Sequence, residues 1–204
     1  MATTASPYGL IPVKNADGSA YNGARDAFLI DPAGLANNIG YGSVVFLSAG
    51  FVKLSLDQGA ANDATNFGGA TNVGALGVFV GCEYINAQGQ LIFDQHYPSG
   101  QLNATAYVVT DPGATFQVQS VAAITQAELG HNCHLSADPD ALTSINTTTG
   151  KSTMAVSDSE TTDCAFKIIG FSTRGESAIG DAKTDILVKF NPNYHAFLSA
   201  TVGV

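Results

Sequence analysis

Histidine and cysteine are where metal or proton chemistry would show in this chain, which holds four of the first and three of the second. His131, Cys133 and His134 stand close together, with Glu128 just ahead of them. Two imidazoles and a thiolate form a zinc-type donor set. The H-x-C-H spacing matches no standard ligand ladder, however, and no second ligand pair stands elsewhere. On a strand, His131 and Cys133 would share a face while His134 pointed away. The preferred reading is a polar turn after a short helix, with no metal and no cofactor.

Asp94 and His96 are the other pair with catalytic potential. A carboxylate that orients an imidazole is half of a hydrolase triad. No nucleophile is identifiable beside it, and no G-x-S-x-G elbow occurs, so a surface loop is preferred. The 22 glycines build no phosphate cradle: G-x-x-x-x-G-K-[ST] is absent, and Gly68-Gly69 opens no helix after a strand. No catalytic residue is assigned, and the chain is expected not to be an enzyme.

Charge excludes further classes. Asp, Glu, Lys and Arg together make up 12% of the residues, about half the usual share, and the net charge is −9. Without a Lys/Arg cluster, a nucleic-acid groove is not expected. No apolar run approaches the ~20 residues of a membrane helix. The opening residues lack a signal peptide's basic start and apolar core, and three scattered cysteines give no disulfide framework. Synthesis in a reducing cytoplasm is therefore expected. A weakly charged, polar surface suits a chain packed against copies of itself or a partner, since charges are depleted where interfaces are desolvated.

The elements that must position any site are strands. Residues 28–30, 43–47, 51–54, 74–85, 90–93, 105–110, 115–119, 165–171 and 184–190 are β-branched, aromatic or alternating runs bounded by turn residues. Ser48-Ala49-Gly50 and Asn86-Ala87-Gln88-Gly89 read as hairpin turns, and Asp111-Pro112-Gly113 as a turn pairing 105–110 with 115–119. Thr125 to Glu128 matches a capping box for one short helix. Residues 57–73 read as a long loop and 137–163 as an acidic, turn-rich excursion with one strand-like stretch at 151–156. The fold expected is all-β, a single barrel or sandwich spanning residues 25–204.

Residues 1–24 differ from this body. Pro7 and Pro12 favour extended chain, and Tyr8, Leu10, Ile11 and Val13 make a compact apolar word. Two readings stand: a first strand on the domain's own sheet, or an arm that adds to a neighbour. Burial of four side chains does not by itself offset the ordering of nine residues. The arm is therefore expected to be mobile in the free protein and to order on assembly. The tail around Tyr194, Phe197 and Leu198 is apolar enough to seek a partner.

Several of these words resemble a family of tailed-phage virion proteins, found especially in marine phages. They are ASPYGLIPVKN at 5–15, YNGA at 21–24, NIGYGSVVFL at 38–47, GVFVGCEY at 77–84, FDQHYPSG at 93–100, NATAYVV at 103–109 and TDILVKFN at 184–191. Such proteins accompany the major capsid protein and look like decoration, or cement, proteins of the outer shell. The resemblance implies an all-β body docked where capsomers meet, often as a symmetric homotrimer, at the virion surface. It carries no catalytic residues. Pro7, Tyr8, Leu10, Ile11, Pro12 and Val13 of the arm and Tyr194, Phe197 and Leu198 of the tail are then the expected clamps. Competing readings are a head-fibre base, a minor capsid or tail protein, or a small-ligand or metal-binding β-barrel. Bound zinc near one per chain would favour the last. A sugar-binding module ranks low because the chain has no tryptophan.

Overall fold

Ile186, Val188 and Phe190 alternate with Leu187 and Lys189, and such alternation puts every second side chain on one face of a strand. The computed structural model describes residues 6–55, 74–135, 145–159, 161, 164–172 and 177–198. In it Asp185–Phe190 is a strand, with those three side chains inside at 0, 0 and 5% exposure. The same logic builds two antiparallel sheets. With strands numbered in chain order, the first sheet holds β1 (Ile11–Lys14), β8 (Thr115–Gln119), β13 (Asp185–Phe190), β12 (Phe166–Phe171) and β9 (Asn132–Cys133), side by side in that order.

The second sheet runs β2 (Asp26–Leu29), β7 (Thr105–Val109), β5 (Ala75–Ile85), β3 (Val44–Ser48) and β4 (Phe51–Leu54). A sixth strand, β6 (Leu91–Asp94), pairs with the second half of the long β5. A small hairpin, β10 (Ile145–Asn146) with β11 (Lys151–Ser152), forms its own ladder and is bridged to Tyr41. The two sheets share one core in which Phe79, Phe116 and Phe166 are fully buried. A lone parallel bridge, Ile30 to Val52, links the ends of the second sheet, yet neither sheet closes. The body is a β-sandwich rather than a barrel.

The β3–β4 turn is as expected: Ala49 and Gly50 both have positive φ, the primed geometry that suits a two-residue hairpin. The expected helix is a single 3-10 turn, Gln126–Glu128, whose Glu128 carboxylate accepts the Thr125 N–H at 2.5 Å. Two expectations are corrected. Strands 105–109 and 115–119 form but do not pair. Both edges of β7 are taken by β2 and β5, and both edges of β8 by β1 and β13. Residues 111–113 instead carry the chain from one layer to the other. Ala106 and Val108 of one layer and Phe116 and Val118 of the other then share the one core.

The second correction concerns the arm. Residues 11–14 are an edge strand on β8, with Ile11 opposite Gln117. Leu10 is fully buried, and its N–H donates to the Gly42 carbonyl at 2.8 Å. The Tyr8 hydroxyl donates to Asp185 at 2.7 Å and accepts from Gln117 at 2.9 Å. The hydrogen bonds that apolar contact alone could not replace thus come from the chain's own sheet, and the segment is part of the sandwich. Burial and the Asp185 bond also push the Tyr8 phenol up, so it stays a donor. Tyr8→Phe should cost about 1–3 kcal/mol in urea unfolding, because Asp185 and Gln117 lose a shared partner. Unchanged stability would mean that the segment is not docked.

The expected strand at 151–156 shortens to β11, followed by bridges from Val156 to Ser120 and Leu135. The loop expected at 57–73 lies outside the described residues, as do 137–144 within the acidic excursion and the tail beyond Leu198.

Candidate interaction surface

Residues directly opposite one another in antiparallel strands point to the same side of the sheet. The registers of the second sheet put Leu29, Thr105, Glu83 and Phe93 in one such row across β2, β7, β5 and β6. One step along β5 and β6, Ile85 pairs with Leu91 and faces the same way. The opposite face belongs to the core, where Cys82 and Ala106 are 1 and 0% exposed. The outer face is therefore bound to be wet, yet it is apolar. Leu29, Ile85, Leu91 and Phe93 are 59, 60, 59 and 66% exposed. Gln101 donates to the Ile85 carbonyl at 3.0 Å and so holds Leu102, also exposed, beside them. Scattered exposed leucines are ordinary, whereas a cluster of this kind on one rigid face marks an interaction site.

The polar groups around the patch are spent internally. Glu83 accepts the Tyr107 hydroxyl at 2.7 Å, and this bond holds the phenol protonated to higher pH. The Arg25 guanidinium stacks 4.3 Å from the centre of the Tyr107 ring. A shallow cleft of about 210 Å³ lies between Tyr107 and Phe93, over Gly81. That volume suits one side chain and is below the range of small-molecule sites.

The candidate chemical residues assemble only in part. Asp94 does engage His96, at 2.9 Å to Nδ1 and 3.1 Å from its backbone N–H. The nearest thiol is no nucleophile. Burial, reinforced by Asp94 and Glu83, pushes Cys82 up to about 12, and its Sγ donates to the His96 carbonyl rather than to the ring. Cys133 is fully buried on β9, and burial pushes its thiol up further. His134 Nδ1 lies 2.7 Å from the Leu135 carbonyl. Among the described residues, no three His, Cys, Asp or Glu side chains gather as a metal site would require.

The residues expected to clamp a partner divide. Leu10 and Pro12 are buried in the chain's own body, as is Tyr194 at 4% exposure, so none of these can serve. Pro7, Tyr8, Ile11 and Val13 are half-buried in the docked N-terminal segment. Phe197 and Leu198 remain open, at 58 and 47%. The residues missed are Leu29, Ile85, Leu91, Phe93 and Leu102. One signal was present: Leu91-Ile92-Phe93 is apolar on both faces of a strand, so covering either face leaves apolar side chains open on the other. No family model matches this chain, and none of the curated proteins or solved structures matches it either.

Proposed function

We propose that this chain is a structural virion protein of a tailed bacteriophage. In this reading it decorates the outer capsid shell and binds the major capsid protein where capsomers meet. It would be made in the host cytoplasm and end on the virion surface, in association with copies of itself. The apolar outer face of the second sheet carries the binding half of this reading, and the sequence resemblance supplies the partner. The face replaces the N-terminal arm as the docking element, because the arm is committed to the fold.

Magnitudes say how such docking would work. Completing the burial of five half-exposed side chains gains roughly 4–9 kcal/mol. Association costs about 4–15 kcal/mol in lost freedom. One copy alone would hold weakly, and linked copies on a repeating lattice would hold well through avidity. A ligand selective for the expanded shell stabilises that state by mass action. Leu29→Asp tests the reading, since Leu29 is exposed on β2 and its loss leaves the core intact. Co-sedimentation with expanded shells should weaken at least tenfold while the melting temperature holds. Binding equal to wild type would remove this face from the account.

A further inference from the structure

The outer edge of β6 is open. Within the second sheet β6 pairs only with β5, and among the described residues no strand lies on its far side. The hairpin fixes which backbone groups face that edge. Asn86 N–H donates to the Gln90 carbonyl at 3.0 Å and Gly89 N–H to the Asn86 carbonyl at 2.9 Å, with Gly89 in the left-handed region. Alternation of the ladder then makes Tyr84–Ile92 and Cys82–Asp94 the hydrogen-bonded pairs. The N–H and C=O groups of Leu91 and Phe93 point outward. These are also the two residues whose side chains are most open on the strand.

Proteins normally defend such an edge with lysine, proline or a bulge. This one has none. From Ile85 to Phe93 the chain reads INAQGQLIF, without a single charge, in a protein of net charge −9. A second copy can approach here without meeting like charges. We infer that two copies pair edge to edge through β6, antiparallel about a two-fold axis at Ile92, making one continuous sheet. In this register Leu91 exchanges both backbone hydrogen bonds with Phe93 of the second copy, and the reverse. Ile92 faces its own equivalent. Asp94, held by His96, opposes the uncharged Gln90 rather than another carboxylate. The apolar outer face doubles in extent, which gives the linked copies that weak single-site docking requires. The pairing is held by the backbone ladder and by the Leu91, Ile92 and Phe93 side chains it brings together, and it leaves Leu29, Ile85 and Leu102 on the outer face.

The test needs no shells, so its outcome is independent of the proposed function. Purified full-length protein at tens of micromolar should give twice the chain mass, or an even multiple, by light scattering. Leu91→Pro removes an outward N–H that the native fold does not use and should shift the mass to one chain, or halve the multiple. Leu91→Ala, which keeps the N–H, should weaken association less. Ile92→Cys should form an intermolecular disulfide under mild oxidation, whereas Gln88→Cys should not; the native Cys82, Cys133 and Cys164 are buried. A wild-type monomer or trimer, or a mass unchanged by Leu91→Pro, would overturn the inference. So would an Ile92→Cys variant that never crosslinks.

Discussion

Gly77→Ala is expected to abolish the native fold. Gly77 lies in β5 beside the end of β7, its antiparallel neighbour, and a Cβ added there would sit 2.1 Å from the Val109 carbonyl oxygen and 2.9 Å from its carbon. Both are backbone atoms of a strand that is itself paired on both sides, so neither can yield alone. The backbone there has φ 153°, a conformation that residues with a side chain rarely adopt, so contact and dihedral strain act together. Displacing β7 would open the core at Val108 and Val109, so the cost should exceed about 4 kcal/mol. That is a large fraction of the 5–15 kcal/mol that usually separates folded from unfolded. Gly89→Ala is the matched control: its φ is 78°, but nothing lies within 4 Å, so it should cost about 1 kcal/mol. Thermal melts by circular dichroism check both. A Gly77→Ala protein melting within a few degrees of wild type would refute this close approach of β5 and β7.

The second large effect is a loss of stability in mild acid, traced to His195. Its ring is fully buried between Phe190 and Phe197, at centroid distances of 5.3 and 5.7 Å. Nδ1 accepts the Phe197 N–H, so the proton of the neutral ring sits on Nε2, which is buried with no partner among the described residues. Burial lowers its pKa to about 4, against a smaller opposing pull from Asp111. Unfolded, the ring takes its proton near pH 6.5. Between these values the unfolded state binds more protons, so stability rises with pH. The contribution is whole above pH 6.5 and is lost as pH falls through 4. The difference amounts to about 3 kcal/mol. Urea midpoints measured from pH 7.5 to 4 should fall steeply for wild type. They should fall less for His195→Phe, which has no proton to gain. Parallel curves would locate the acid sensitivity elsewhere.

Local pattern made the strands legible. Phe51 to Leu54 and Thr115 to Gln119 have the expected bounds because alternation and flanking turn residues agree there. Pairing was less legible, because a turn such as Asp111-Pro112-Gly113 can close a hairpin or cross between layers. Only the occupancy of β7 and β8 by other strands decides which. For a related reason the sequence alone points to a mobile N-terminal segment. Its apolar side chains were visible, but the Gly42 carbonyl and Asp185 that receive it lie far along the chain. The interaction face was the least legible. Leu29, Glu83 and Phe93 form a row only after three registers are fixed, and no spacing in the sequence encodes that row.

The position of this chain in an intact particle tests the proposed role most directly. Cryo-electron microscopy of particles purified from the source should show it on the outer shell in regular ratio to the capsid protein. The face bearing Leu29, Ile85 and Leu102 should lie against the lattice. Particles without this chain on the shell, or with that face turned to solvent, would contradict the account.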